Sequence, residues 1–352
     1  MAIKITGVGS YIPTAVEKNE DFKSHTFLNS DGSAIKYENS VIIEKFKAIT
    51  GIEERRYATE NLTSSDMGTR AAEKAITDSG IDPETLDYII CAHNYGDVKK
   101  GSHFSDIVPS IASRIKHNLR IKNASCVAYD ILFGCPGWIE GVIQAQAYIK
   151  AGMAKKCLVI GTEMLSRVVD NHDRDSMIYS DGAGATIIEQ DDSDTGILAF
   201  ETATFTYDEA YFLFNGCSYN TEADQDTMYI KMYGRKIYNF ALTNVPQAMQ
   251  SCLEKSGISI NEVKKIFIHQ ANEKMDEAIV SRFYKLHDLE MPEHVMPMSI
   301  HKLGNSSVAT VPTVFDLVRK GELENHEITK GDIVIFASVG AGMNINAIVY
   351  RY

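Results

Sequence analysis

The sequence predicts an α/β protein built from two duplicated halves, and three observations predict it. Two passages align without gaps at an offset of 177 residues: AAEKAITDSGIDPETLDYIICAHN, ending at Asn94, and AMQSCLEKSGISINEVKKIFIHQA, ending at Ala271. Each reads as a helix, a Ser-Gly-Ile turn and a short apolar strand with a histidine at its end, His93 in one and His269 in the other. A second echo pairs SDGAGATIIE, through Glu189, with SVGAGMNINAIVY, through Tyr350, each read as a Gly-Ala-Gly turn opening into a strand. Third, segments such as CLVIG and DIVIFA are apolar throughout, as strands buried on both faces are. Two repeats in the same order indicate a duplicated unit. Strands that alternate with helices predict helices covering a largely parallel sheet, with about five strands in each half. The halves are 1–190 and 191–352, with variable linking sequence in DDSDTG and NGCSYNTEADQD.

Along the chain, MAIKITGVGSYIP reads as a strand entering a turn at Gly9 and Pro13, without the apolar core of a signal peptide. VAYDILFG reads as a strand that breaks at Gly134, Cys135 and Pro136. Pro136 suits the first position of the helix that follows, where a missing N–H costs nothing. Ile139, Val142, Ile143 and Ala147 give that helix one buried face, and Gly152 ends it. VPTVFDLVRKG reads as another helix, after the turn Gly-Asn-Ser-Ser at 304–307, and DIVIFASV as a strand leading into Gly340-Ala341-Gly342.

Composition narrows the class. The 352 residues are 44% hydrophobic and 23% charged, ordinary for a globular protein of two core-bearing units. A net charge of −12 argues against general nucleic-acid binding, which needs a basic surface. No apolar run approaches the ~20 residues that span a bilayer, so the expected location is cytoplasmic. The six cysteines form no C-x-x-C pair, and neither a disulfide framework nor a metal site is expected.

Active sites in α/β sheets lie beyond the carboxyl ends of the strands. Cys135, His269, Asn305 and the glycine turn at Gly342 all fall at such places. A thiol at a helix N-terminus faces unpaired N–H groups and the positive end of the helix dipole, which favour the thiolate. Each residue also has a plainer role: Cys135 as a small buried residue, His269 as a satisfied structural group, Asn305 as a helix cap, Gly342 as a turn residue with positive φ. Together they make an acyl-transfer set of nucleophile, imidazole, amide and backbone donors. The other nine histidines show no metal-ligand spacing and read as structural or solvated.

The chain resembles the β-ketoacyl-acyl-carrier-protein synthase III family of condensing enzymes over nearly its whole length. The resemblance rests on TGIEERRYATENLTSSDMGTRAAEKAI, the cysteine segment, DRDSMIYSDGAGATIIE, FIHQAN, HKLGNSSVATVP and the C-terminal glycine strand. It implies a thiolase-like fold with two duplicated halves in αβαβα layers, and a Cys–His–Asn triad at Cys135, His269 and Asn305. By the same resemblance, Cys135 takes an acyl group from a thioester, with the N–H groups of Cys135 and Gly342 as oxyanion hole. A malonyl-type thioester then loses CO₂ beside His269 and Asn305, and its enolate attacks the acyl-cysteine. No metal or redox cofactor is implied; acyl-coenzyme A or acyl-carrier protein serves as substrate. Lys274 and Arg282 match carrier-docking positions, Arg174 an adenine-side contact, and Val108, with Pro109, a segment reaching the partner's acyl pocket in a homodimer.

The sequence also departs from the family. Its only tryptophan is Trp138, in the cysteine helix, so either Phe46, beside an insertion around FLNSDGSAIKY, replaces the stacking face opposite Arg174, or the acyl group comes from a carrier protein rather than coenzyme A. FGCPGW puts bulk around the nucleophile, and AHNYGDVKKGSHFSD is an extra segment expected to reshape the acyl pocket. Three rivals stand beside fatty-acid initiation: a specialised synthase joining two acyl chains into alkylresorcinol-type products, an acyltransferase without condensation, and a catalytically silent heterodimer partner.

Overall fold

The structure is a computed structural model that describes residues 2–102, 104–192 and 194–352. In chain order the first half contains β1 (Ala2–Tyr11), β2 (Ala15–Lys18), α1 (Asn39–Thr50), β3 (Glu54–Tyr57), α2 (Ser64–Ser79), β4 (Tyr88–Ala92) and α3 (Ile111–Asn118). It continues with β5 (Val127–Ile131), α4 (Gly137–Lys150), β6 (Lys156–Met164) and β7 (Asp181–Asp191). The second half contains β8 (Gly196–Thr204), β9 (Leu213–Gly216), β10 (Tyr229–Met232), α5 (Gly234–Ser256), β11 (Val263–Ile268) and α6 (Glu273–Lys285). It ends with α7 (Ile300–Leu303), α8 (Thr310–Arg319), β12 (Ile333–Gly340) and β13 (Asn344–Arg351).

The duplication is visible in strand order. The first sheet runs β1-β7-β6-β4-β5 and the second β8-β13-β12-β11, so first, last, penultimate and inner strands take the same places in both. The second sheet has four strands rather than five. Where a fifth would lie, the Ile266 N–H donates to Val295 O across 2.8 Å, in a segment that forms no strand. The sheets are mixed, not largely parallel: only β4–β5, β4–β6 and β11–β12 run parallel. The outer strands β1, β7, β8 and β13 pair antiparallel, because β12 turns straight into β13 and β7 returns beside β6.

Side chains alternate across these strands and build three cores. Ile89, Cys91, Leu158 and Ile160 face a core under α2 and α3, while Ile90 and Val159 face the opposite way. That second core lies between the sheets, where α4 and α8 meet Phe267, Val334 and Phe336. Ile266, Ile268, Ile335 and Ala337 face the third, under α5 and α6. The result is five layers, αβαβα, as the resemblance implied.

Three local readings are corrected. Gly9 lies inside β1, not in a turn; a Cβ there would stand 2.4 Å from Ala71 O, so the glycine lets α2 press onto the sheet. The Gly182-Ala183-Gly184 run likewise lies within β7, and only the later run, 340–342, forms a turn. In α4 the buried face includes Ile139, Val142, Ile143, Ala145 and Ile149, with Ala147 on the exposed side.

Candidate active site

Three catalytic candidates from separate elements line one cavity of about 700 Å³: Cys135 before α4, His269 after β11, and Asn305 before α8. Gly134, at φ +74, makes the bend between β5 and α4 that presents Cys135. A Cβ on Gly340 would lie 2.4 Å from the Cys135 N, so the C-terminal turn packs directly on the nucleophile's backbone. Pro136 caps α4 with helical φ and ψ, one position earlier than expected.

Opposing influences meet at the thiol. Burial pushes the Cys135 thiol up to about 12, although the Ser307 hydroxyl, 3.5 Å from Sγ, pulls the other way. Loss of water around sulfur thus opposes the stabilisation that the helix end offers the thiolate.

His269 is buried, and burial pushes its imidazole down to about 4, keeping the ring neutral. Its Nδ1 has no hydrogen-bond partner among the described residues. His93, its counterpart in the first half, is fully engaged: Nδ1 accepts the Gly96 N–H at 2.9 Å and Nε2 stands 3.0 Å from Asp130 Oδ2. Duplication supplied two strand-end histidines, and only the second faces the cavity. Around His269, Gln270 secures the 297–299 segment, donating to Pro297 O at 2.8 Å and accepting the Ser299 N–H at 2.9 Å. Asn272 caps α6 through Met275 N.

Asn305 is both a cap and an available amide. Its Oδ1 accepts the Ser307 N–H at 2.8 Å, and its backbone bridges to 178–180. With Oδ1 so occupied, the NH₂ end is the group left for a substrate. The plainer cap role thus fixes the orientation that chemistry requires.

The turn contributes a different residue from the one expected. Gly342, at φ +76, does not line the cavity, whereas Gly340, Ala341 and Met343 do. The Ala341 N lies 2.7 Å from where a Cβ on Gly134 would sit, directly beside the nucleophile's loop. Counting glycines in the sequence picked the residue that makes the turn, not the one the turn presents.

The outer cavity is apolar, with Ile42 and Phe46 of α1, Leu213 and Phe214 of β9, and Ile230 and Met232 of β10. Arg174 stands at the wall, 61% exposed on the side chain. Phe46 also lines it but is buried, with the Arg55 guanidinium 6.0 Å from its ring centroid. An exposed aromatic on the cavity wall is Tyr37, 58% exposed, with Lys45 Nζ 3.8 Å from its ring centroid. Sequence reasoning missed it, though the signal was present in the insertion that ends at this tyrosine. Lys274 and Arg282 are exposed on α6, where Arg282 also donates to Leu242 O at 3.0 Å. Val108 is 81% exposed and does not line its own chain's cavity. Among the described residues, no cluster of three or more His, Cys, Asp or Glu is arranged to hold a metal ion, and no helix is long and apolar enough to cross a membrane.

Two similar α/β halves with cysteine, histidine and asparagine at one cavity define a condensing enzyme of the thiolase fold. The family described as 3-oxoacyl-[acyl-carrier-protein] synthase III matches residues 129–205, and its C-terminal counterpart matches 253–352. The chain is 31% identical over 349 residues to β-ketoacyl-[acyl-carrier-protein] synthase III 1 of Halalkalibacterium halodurans, covering 99% of this chain and 98% of that one. Among solved structures, the synthase III of Aquifex aeolicus superposes with a TM-score of 0.81 at 29% identity, covering 99% and 100% of the two chains. That of Thermus thermophilus gives 0.82 at 28% identity, covering 99% of each. The chain belongs to the β-ketoacyl-acyl-carrier-protein synthase III family.

Proposed function

We propose that the protein condenses a cysteine-bound acyl group with a malonyl-type thioester to give a β-ketoacyl thioester and CO₂. The observation that carries the residue roles is the convergence of Cys135, His269 and Asn305 on one cavity. The Cys135 sulfur attacks the acyl thioester, and the backbone N–H groups of Cys135 and Ala341 receive the oxyanion; each such donor is worth ~2.7–4 kcal/mol in other enzymes. The neutral His269 imidazole and the Asn305 NH₂ then donate to the extender's thioester carbonyl and hold the enolate as CO₂ leaves. The enolate carbon attacks the acyl-cysteine carbonyl, and the Cys135 thiolate departs. This chemistry consumes no metal or redox group.

The substrates on this reading are acyl-coenzyme A or acyl-carrier protein, with Lys274 and Arg282 meeting the acidic carrier and Arg174 the adenine end of coenzyme A. We read the protein as a cytoplasmic homodimer whose halves, 1–190 and 191–352, descend from one unit; the matching strand orders support the duplication. A second reading is favoured by the apolar wall of α1, β9 and β10, which a malonyl unit would leave uncovered. There the extender itself carries an acyl chain, and the enzyme joins two chains.

Intact-protein mass spectrometry of wild type and Cys135→Ala with acyl donors of varied length and carrier tests this. An adduct on wild type alone is expected, and product masses with malonyl or β-ketoacyl extenders separate the two readings. No adduct from any donor would overturn both and favour a silent partner subunit. Asn305→Ala should retain the adduct and lose condensation; retention of both would favour simple acyl transfer.

A further inference from the structure

Ser307 touches two members of the triad at once without belonging to it. It sits at φ +54, in a turn laid on β6; a Cβ on Gly161 would lie 2.3 Å from Val308 O. From that left-handed position its N–H donates to Asn305 Oδ1 at 2.8 Å and its hydroxyl to Cys135 Sγ at 3.5 Å. Behind it stands Asn94, whose Nδ2 donates to Ser307 Oγ at 3.1 Å and also to Glu163 Oε2. The Asn94 N–H donates to the same Oε2 at 3.1 Å. Strand register makes this pairing. β4 and β6 run parallel with Ala92 opposite Gly161, and just past that pair Asn94 meets the buried Glu163.

The cluster has one hydrogen-bonding direction. A carboxylate only accepts, so Glu163 faces the NH₂ end of Asn94 and not its carbonyl. Burial raises the Glu163 carboxyl, and the hydrogen bonds from Asn94 oppose that rise. One Nδ2 hydrogen is spent on Glu163 and the other on Ser307 Oγ. A serine hydroxyl has a single proton. With Asn94 donating to Oγ, that proton is left to point at Cys135 Sγ.

We propose that Ser307 is a further catalytic residue, whose hydroxyl donates a hydrogen bond to the Cys135 sulfur whenever that sulfur carries negative charge. Asn94 and Glu163 are positioning residues that act through the hydroxyl by fixing where its proton points. The hydroxyl keeps its proton throughout, and no covalent bond to it is made or broken. Sulfur is charged twice in the proposed reaction, as it attacks the acyl donor and as it departs from the β-ketoacyl product. In a buried site that charge is poorly solvated, so a donor held in place counts for more than it would in water.

The inference rests on Cys135 as nucleophile, and the rate of Cys135 alkylation by iodoacetamide at pH 8 tests it without any acyl donor. Peptide mass spectrometry separates Cys135 from the exposed Cys217. Ser307→Gly keeps the N–H that holds Asn305 and suits the left-handed backbone. It also opens space beside sulfur, so a mere packing role predicts faster alkylation. A lost donor predicts the opposite. Thiolate falls about tenfold, offset in part by the greater nucleophilicity of a more basic sulfur, for a net slowing of about threefold. Asn94→Leu should slow alkylation similarly by itself and add nothing in a Ser307→Gly background. Glu163→Gln should not slow it, since an amide oxygen accepts where Oε2 does. Where Asn94→Leu fails to fold, Ser307→Gly still decides the role of the hydroxyl. Unchanged or faster alkylation in folded Ser307→Gly would overturn that role. Additive slowing in the double variant, or slowing in Glu163→Gln, would overturn the positioning chain. Slowing as expected in a protein that takes no acyl adduct from any donor would instead fail the proposed function.

Discussion

At the scale of single residues, the sequence shows where the reacting groups are and hides what their surroundings do to them. Cys135, His269 and Asn305 were legible because each ends a recognisable strand or turn. The balance at the thiol was not, since burial by the turn at 340–343 comes from a segment some two hundred residues away in sequence. His269 yields a prediction with a definite sign. Its imidazole is pushed down to about 4 in the fold and returns to about 6.5 when unfolded. Above pH 6.5 neither state carries the proton, so the group leaves stability unaffected there. As pH falls from 6.5 toward 4 the unfolded chain gains a proton that the fold refuses, and stability falls by up to about 3 kcal/mol. Urea unfolding of wild type and His269→Gln at pH 7 and pH 4.5 should show a smaller acid loss in the variant. Equal losses would mean that the ring is solvated and readily charged.

At the scale of elements, the hairpin β9–β10 shares the apolar cavity wall with α1, and a buried lysine helps to fasten it. Lys231 of β10 reaches Asp170 at 2.6 Å and Asp173 at 3.2 Å, with the Tyr219 ring centroid 3.4 Å from Nζ. Those aspartates belong to the loop between β6 and β7 that also carries Arg174, so one cluster holds both the apolar wall and its charged rim. Lys231→Met leaves two carboxylates without their cation, and loss of one partner from a buried pair typically costs ~3–5 kcal/mol. Denaturant unfolding should show a loss of that size; a change under 1 kcal/mol would mean that water replaces the ammonium there. None of this was readable in NGCSYNTEADQD, which looked like variable linker, because the stretch is polar and its anchor, Asp170, lies some fifty residues earlier in the chain, where it accepts from Ser218 Oγ at 2.9 Å and from the Tyr219 N–H at 2.7 Å. Strands and helices fared better: their periodicity is local, whereas strand direction is not. A parallel sheet was expected from alternation alone, yet the direct turn from β12 to β13 forces antiparallel pairing at the outer strands.

At the scale of the whole molecule, the open edge of the first sheet bears on specificity. β5 pairs only with β4, and its other edge has no strand beside it among the described residues. Around it, Phe104, Val108 and Leu132 are apolar and 73%, 81% and 65% exposed. An edge strand bordered by exposed apolar side chains invites pairing with a second copy about a two-fold axis. Such pairing would continue one sheet into the other and carry the 104–109 loop of one subunit toward the cysteine loop of its partner, since Leu132 lies three residues before Cys135. Sedimentation of wild type should therefore show a dimer, and Leu132→Asp should weaken it by at least about tenfold, because it places a charge where apolar surface is buried. Val108→Phe should leave the dimer intact and shorten the longest acyl group found on Cys135 by mass spectrometry. If the two effects are linked as argued, Leu132→Asp at concentrations where it is monomeric should make chain length insensitive to residue 108. A dimer that forms normally while Val108→Phe accepts the same chains would separate the interface from the pocket and place chain-length selection within the cavity walled by α1, β9 and β10.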